Sequence, residues 1–242
     1  MNVRRAVLAW ACAAPAASLA APNEIKVFTD ELARPGEHTL EVHANKTSSA
    51  GAKAEEPRTP LQLMPEYSYG IAPNWEASLQ LPFSFPEQDV RLEGYRAELQ
   101  YVAPHDGDRG LYWGANAELA RIEKSGQAGF WSAELIAILG YRAGRWHLAA
   151  NPALEQRLTG DARTTSFTPA AKVSYVVAGR DALGAEYYLE APRGSSREKQ
   201  SQMLYVAWDA KLGDSDLNVG VGRGLTDASD RWVLKMIYEI AF

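Results

Sequence analysis

The last stretch of the chain constrains its fold more than any other. Residues 231–242 read RWVLKMIYEIAF, in which every second residue is apolar: Trp232, Leu234, Met236, Tyr238, Ile240 and Phe242. The residues between them form a mixed row that includes Lys235 and Glu239. Such alternation predicts a strand with different surroundings on its two faces. A tilted strand of about 9–11 residues spans a bilayer, so the apolar row is long enough to face lipid.

A single alternating strand would also fit any half-buried sheet, so the rest of the chain decides between the two interpretations. The same alternation recurs at residues 39–45, 61–72, 75–83, 95–101, 111–119, 131–141, 146–155, 167–175, 183–189, 204–208 and 217–221. With the last stretch this makes about twelve strands, and an even number is typical of outer-membrane barrels. The sequence therefore predicts an all-β, transmembrane, antiparallel up-and-down β-barrel of about twelve strands.

The connections between these strands alternate in length. They are short at residues 73–74, 142–145, 179–181 and 213–216, and longer at 46–60, 86–90, 124–126, 158–164 and 192–200. Outer-membrane barrels have short periplasmic turns and longer outer loops, which predicts that both termini are periplasmic. Residues 104–110 are the exception, since they form a long connection where a short turn is expected.

Aromatic residues collect at the predicted strand ends. They form a predicted membrane girdle at the two interfaces, composed of Trp75, Trp113, Trp131, Trp146, Trp208, Trp232 and Phe242. A soluble β-sandwich or soluble β-barrel is the alternative, but it has no reason to place tryptophan at its strand ends.

Before the barrel the chain has two segments of different composition. Residues 1–20 are interpreted as a signal peptide, because Arg4 and Arg5 precede an apolar run that ends in Ser18-Leu19-Ala20. Residues 21–37 are interpreted as a periplasmic lead-in and residues 38–242 as the barrel. The one cysteine falls in the signal peptide, so the mature chain has no thiol chemistry. A formal net charge of -5 argues against nucleic-acid binding.

The sequence also resembles a known family. Residues 220–226 (GVGRGLT) and the run from Ser229 to Phe242 are similar to the outer-membrane barrels named after the meta-cleavage pathway of phenol degradation, as is Pro35-Gly36-Glu37. The likeness extends over most of the mature chain. It implies passage of small, often aromatic, molecules across the outer membrane of a Gram-negative bacterium, but it supplies no binding residues. The terminal Phe242 resembles the signal that the outer-membrane assembly machinery recognises.

The inward-facing rows carry many charges. The predicted lumen-lining residues are Glu76, Arg96, Glu98, Glu118, Glu134, Glu155, Lys172, Glu186, Asp209, Lys211 and Lys235. Acids outnumber bases among them, which favours a cation-selective pore. Pairing of opposite charges across a closed interior is the alternative. Twelve strands lie between the filled barrels of eight and the open channels of sixteen, and small inward residues such as Gly220 and Gly222 favour some open space.

The sequence thus predicts a channel or transporter for passive passage of small solutes, including small hydrophobic or aromatic compounds. A closed structural barrel with a charge-paired interior is the alternative, and an outer-membrane enzyme is a weaker one. No catalytic, cofactor-binding or metal-binding residues are identified, since no histidine has a serine two residues away, and His43 and His147 are interpreted as polar interior residues. Membrane lipid and the assembly machinery are the predicted partners, and the permeant is unidentified.

Overall fold

The computed structural model describes residues 25–48, 61–86, 89–107, 109–123, 128–160 and 163–242. The signal peptide predicted for residues 1–20 lies outside them. The strands are β1 (His38–Ser48), β2 (Leu61–Ala72), β3 (Trp75–Gln80), β4 (Phe83–Ser84), β5 (Arg91–Leu92), β6 (Gly94–Val102), β7 (Gly110–Ile122), β8 (Phe130–Ala143), β9 (Trp146–Asn151), β10 (Ala153–Arg157), β11 (Thr165–Phe167), β12 (Ala170–Ala178), β13 (Asp181–Pro192), β14 (Ser201–Leu212), β15 (Ser215–Gly224) and β16 (Trp232–Ala241). Within the described residues, no helix has the length and apolar character needed to cross a membrane.

These strands form one closed antiparallel barrel. They make twelve successive passes across the wall, each pass pairs with the one before and the one after it, and β1 closes the sheet by pairing with both β2 and β16. The β1–β16 register is regular, from Thr39 opposite Ala241 to Ser48 opposite Trp232. The twelve-stranded antiparallel barrel predicted from the alternation is therefore confirmed.

Four of the twelve passes across the wall are divided into two strands: β3 and β4, β5 and β6, β9 and β10, and β11 and β12. Three of the breaks contain a proline, which has no N–H to donate to the ladder. The carbonyl groups of Pro82, Pro152 and Pro169 still accept backbone hydrogen bonds from the adjacent pass, with N···O distances of 2.8–3.0 Å. The wall is therefore continuous across the breaks.

The barrel has two different ends. We call the end where β1 starts and β16 stops the terminal end; there the Phe242 N–H donates to the His38 carbonyl at 2.9 Å. Tight two-residue turns at 73–74, 144–145, 179–180 and 213–214 lie at this end, together with the longer connection 103–109. The other end, called the loop end, carries the longer connections, as the sequence predicts.

Burial is inverted relative to a water-soluble protein. Outward residues are apolar and exposed, for example Leu111 at 78%, Leu135 at 67% and Val206 at 69%. The inward row of β1 is polar and buried, and consists of Thr39, Glu41, His43 and Asn45. All predicted girdle residues except the half-buried Trp131 are exposed. An apolar exterior around a polar interior is the pattern of a membrane barrel.

Residues 25–36 are here called the N-terminal segment; residues 25–33 lie inside the barrel, and residues 34–36 are exposed at its end. Ile25, Val27, Phe28 and Ala33 are each less than 9% exposed. Phe28 packs in a cluster of wall residues, and Ile25 in a second one. The segment leaves the barrel at the terminal end, where the Gly36 N–H donates to the Gly70 carbonyl at 2.8 Å. The structure thus differs from the predicted periplasmic lead-in, because the apolar side chains of this segment are buried against the barrel wall.

Candidate functional site: the barrel interior

The first contact between segment and wall is an ionic cluster on β1 and β2. Lys26 Nζ lies 2.5 Å from Glu41 Oε1 and 3.9 Å from Glu66 Oε2, and His43 Nε2 lies 3.3 Å from each carboxylate. Glu41 and Glu66 are directly opposite in the register, which the sequence alone did not show. Donor atoms of Glu41, His43 and Glu66 lie within 4.8 Å of one another, close enough to hold a metal ion. In this arrangement the Lys26 ammonium supplies positive charge to the cluster.

The second contact fixes the backbone of the segment. The Phe28 N–H donates to Asn151 Oδ1 at 2.8 Å, and Asn151 Nδ2 donates to the Phe28 carbonyl at 3.0 Å. Lys235 Nζ donates to the Ile25 carbonyl at 3.0 Å. Buried backbone groups need such partners, and here the wall supplies them in place of secondary structure.

The third contact lies at the terminal end. The Asp30 carboxylate pairs with Arg142 Nη2 at 2.5 Å and with His105 Nε2 at 2.9 Å. The Ala33 N–H donates to Glu76 Oε2 at 2.6 Å, which gives this predicted lumen residue a structural partner.

Burial alone would raise the pKa of Asp30, but the hydrogen bond and charge of Arg142 outweigh it and lower that pKa. Burial likewise disfavours the charged form of His105. Its hydrogen bonds to the Ala103 carbonyl and to Asp30 more than offset that effect and raise the pKa of His105.

Four of the predicted lumen residues form one buried cluster. The Lys235 ammonium donates to Glu186, and both side chains are only 1% exposed. Lys172 lies 3.4 Å from Glu186 and 2.7 Å from Asp209, so the charges alternate. Asn218 adds a hydrogen bond to Asp209 at 2.7 Å. Lys211 lies apart from this cluster and pairs with Asp216 at 2.5 Å.

Four other predicted lumen residues form a row of opposed carboxylates. Cross-strand register places Glu98 opposite Glu118, Glu118 opposite Glu134, and Glu134 opposite Glu155. Directly opposed like charges destabilise a sheet, so the row needs donors. They are Gln80 Nε2 and Asn116 Nδ2 on Glu98, Thr168 Oγ1 on Glu134, and Arg96, whose Nη1 lies 3.7 Å from Glu118.

A cavity of about 190 Å³ occupies the loop-end half of the interior. Its apolar lining includes Ile25 and Phe28 of the N-terminal segment, with Ile136, Ala153, Tyr188, Met203 and Tyr205 of the wall. Charged residues also border it, among them Lys26, Glu93, Arg96, Glu118, Arg121, Glu134, Glu155 and Glu190. An apolar cavity of about 150 Å³ holds benzene, so the space is sufficient for a small aromatic molecule.

The small inward residues do not open space as the sequence suggested. A Cβ placed on Gly222 would lie 2.3 Å from the ring of Tyr205, and one on Gly140 would lie 1.9 Å from the ring of Tyr112. A Cβ on Gly220 would come within 3.0 Å of the Lys235 side chain. These glycines make room for large side chains of neighbouring strands, so the space above them is filled.

Comparison with known proteins gives a fold and no family. No family model matches the chain, and no curated protein matches it. It is similar to a solved COG4313 outer membrane channel from Pseudomonas putida F1, with a TM-score of 0.65, 14% identity, and coverage of 90% of this chain and 100% of that one. It is also similar to the NanC porin, with a TM-score of 0.53, 14% identity, and coverage of 84% and 97%. The chain therefore has the fold of outer-membrane channel barrels.

Proposed function

We propose that this protein is a passive channel in the outer membrane of a Gram-negative bacterium. It admits small, largely apolar solutes, including aromatic compounds, through the loop end into the interior cavity. The N-terminal segment then controls their passage to the terminal end. The observation that carries this proposal is the cavity of about 190 Å³, which is bordered by that segment.

The exposed apolar surface supports the membrane location. Leu135, Val206 and Phe242 are between 67% and 70% exposed, and water-soluble monomers rarely expose a continuous apolar band. The periplasmic location of both termini remains part of the proposal. In that orientation the cavity faces the outside of the cell.

The cavity chemistry supports the class of solute. Ile25, Phe28 and Met203 provide apolar contacts, whereas carboxylates and arginines border the same space. Binding sites for small molecules are commonly apolar with a few polar groups that fix orientation. A small aromatic compound with one polar substituent satisfies both kinds of lining.

The way the segment is held supports a gating role. Its contacts with the wall are side-chain contacts, hydrogen bonds and one isolated bridge between Pro35 and Gly70. The barrel closes through β1–β16 pairing, to which the segment contributes nothing. The segment can therefore move without breaking the ladder of the barrel.

Single-channel conductance of the refolded protein in planar bilayers tests the channel. A variant that lacks residues 25–34 should fold normally and conduct several-fold better than the wild type, because only the segment is removed. If both proteins are folded and inserted but neither conducts ions nor admits a small aromatic solute into vesicles, the closed structural barrel is the correct reading.

A pair of adjacent substitutions tests the cavity. Ala153 lines it and is 3% exposed, whereas Leu154 points outward and is 57% exposed. Ala153→Phe should fill the cavity and weaken toluene binding, measured by titration of the folded barrel in detergent. Leu154→Phe adds an aromatic ring one residue away and should leave binding unchanged. Equal effects of the two substitutions would place toluene elsewhere.

A further inference from the structure

The Asp30 carboxylate is held at the terminal end by Arg142 of β8 and by His105 of the connection between β6 and β7. Arg142 of β8 presents two nitrogen atoms to Asp30, with Nε 3.1 Å from Oδ2 and Nη2 2.5 Å from Oδ1. His105 Nε2 adds a third contact, 2.9 Å from Oδ2. A two-pronged arginine contact with a third donor is the geometry by which proteins recognise carboxylates.

Both nitrogen atoms of His105 face acceptors. Nδ1 lies 2.9 Å from the Ala103 carbonyl oxygen, and Nε2 faces the Asp30 carboxylate. A carbonyl oxygen accepts only, so Nδ1 carries a hydrogen, and donation to Asp30 requires a second one on Nε2. His105 therefore contributes a positive charge beside Arg142. This residue lies in the long 103–109 connection, whose length stood out in the sequence.

Tyr112 of β7 holds the two donors in place. Its ring centre lies 5.4 Å from that of His105 and 6.0 Å from Arg142 Cζ, and its hydroxyl lies 2.7 Å from His147 Nε2. Asp30 is the member of this arrangement that comes from the N-terminal segment, whereas Arg142 and Tyr112 belong to strands and His105 to the connection between β6 and β7. Its side chain is 6% exposed, whereas Arg142 and His105 remain 25% and 18% exposed. Solvent therefore reaches the donors while Asp30 covers their binding face.

We propose that Arg142 and His105 form a binding site for small monocarboxylates and that Asp30 is its built-in occupant. A free carboxylate competes with Asp30 for the same donors and releases the N-terminal segment from the terminal end. The site itself does not depend on the proposed channel function. A group tethered by a short linker acts at an effective concentration of about millimolar, so a free anion competes only above that range.

Binding is tested with 4-fluorobenzoate, followed by fluorine NMR on the full-length folded barrel in detergent. Asp30→Ala vacates the site and should bind the probe about tenfold more tightly than the wild type or better, because the tethered competitor is gone. The matched control is Glu31→Ala, which removes a carboxylate that acts on Arg142 by charge but leaves Asp30 on its donors, so probe binding should stay within about twofold of the wild type.

Two second-site variants identify the donors. Adding Arg142→Gln to Asp30→Ala should abolish saturable binding, and adding His105→Ala, which lies outside the strands, should weaken it several-fold. The neutral 4-fluorobenzamide should not bind at this site. The proposal is wrong if Asp30→Ala shows no saturable binding while folded, or if the benzamide binds equally and Arg142→Gln changes nothing.

Release of the segment is tested by hydrogen exchange in the wild type. Benzoate should speed exchange of the amides in residues 25–34, and benzamide should not. In Asp30→Ala the exchange should already be fast and unaffected by benzoate. The competition with Asp30 is wrong if exchange in the wild type stays unchanged at benzoate concentrations more than a hundredfold above the Kd of benzoate for Asp30→Ala. None of these measurements requires conductance, so a failed channel assay would leave their outcome intact.

Discussion

The two halves of the barrel interior differ in what fills them. The half toward the terminal end is occupied by residues 28–33 of the N-terminal segment, fixed by Asp30, by the Phe28 backbone and by the Ala33 N–H, while Ile25 reaches the other half. The half toward the loop end holds a cavity with apolar and charged lining. The wall is closed by the same antiparallel ladder around both halves. The interior is therefore obstructed by a segment that is not part of the sheet, so stability of the wall and closure of the interior should be separable.

The largest expected effect on stability comes from replacing Lys235. This side chain contacts both the wall, at Glu186, and the N-terminal segment, at the Ile25 carbonyl. Lys235→Met leaves the buried Glu186 with Lys172 as its remaining cation among the described residues, beside hydrogen bonds from Tyr188 and Asn218. Breaking a buried ion pair costs about 3–5 kcal/mol, so the free energy of unfolding in urea should fall by an amount in that range. Adding Glu186→Gln should recover part of the loss. If Lys235→Met leaves unfolding unchanged, the wall does not depend on this pair.

A somewhat smaller effect tests the facing of the wall itself. Leu135 is 67% exposed on the outer face, whereas Glu134 points inward and accepts a hydrogen bond from Thr168. Arginine on the lipid face near the bilayer centre costs about 2–4 kcal/mol, so Leu135→Arg should impair refolding into vesicles. Glu134→Arg places a cation between two opposed carboxylates and should refold normally. Equal damage from both substitutions would contradict the assignment of faces.

A local effect should follow from loss of Asn151, whose side chain makes both hydrogen bonds to the Phe28 backbone. Asn151→Ala leaves these buried groups without that partner at a cost of about 1–3 kcal/mol. Amides of residues 25–34 should therefore exchange faster with solvent, while the amides of the closing strands β1 and β16 keep their protection. Asn116→Ala is the control, because the Asn116 side chain donates to Glu98 and Gln100, which both belong to the wall. Parallel loss of protection in the strands would mean that segment and wall are not separable.

The smallest effect is the dependence of the segment on pH. The pKa of Asp30 is lowered, so its contribution is present above its ordinary value of 3.8 and is lost as pH falls through the lowered value. The pKa of His105 is raised, so its contribution is present below its ordinary value of 6.5 and is lost as pH rises through the raised value.

Cleavage of the segment by an added protease should therefore be slowest at pH values between the lowered pKa of Asp30 and the raised pKa of His105. The rates are corrected for the protease's own pH profile. Among the described residues, Asp30 pairs with His105, Arg142 acts on it by charge, and the ring of Tyr112 lies 5.4 Å from its ring. His105→Ala should remove the alkaline change and keep the acidic one. A persistent alkaline change in that variant would assign the effect to another group.

The strands of the wall could be predicted from the sequence because the alternation of apolar and polar residues is a property of each strand by itself. Alternation in residues 231–242 predicts which side of β16 faces inward, and Val233, Lys235 and Ile237 are indeed buried while Leu234 is exposed. Lengths of connections likewise distinguish the two ends. A period of two is imposed on each strand by the two environments it separates, so each strand reveals its faces without knowledge of its neighbours.

The position of the N-terminal segment inside the barrel could not be predicted in the same way. The N-terminal segment has no period, and its contacts join residues far apart in sequence, such as Phe28 and Asn151. Two signals were available: three apolar residues, Ile25, Val27 and Phe28, in a segment interpreted as a periplasmic lead-in, and an excess of lumen carboxylates that needed cations such as Lys26. The prediction of open space beside the inward glycines was wrong for a related reason, because the Tyr205 side chain of another strand occupies the space beside Gly222.

The contact between Tyr205 and Gly222 also restricts how this sequence can change over time. Alanine at position 222 would place its Cβ 2.3 Å from the Tyr205 ring, so that substitution is blocked while the tyrosine is present. A smaller residue at position 205 removes the obstacle and opens the way to alanine at 222. The two replacements are thus tolerated if position 205 changes first, but not if position 222 changes first. Homologous barrels should therefore pair a large residue at the first position with glycine at the second.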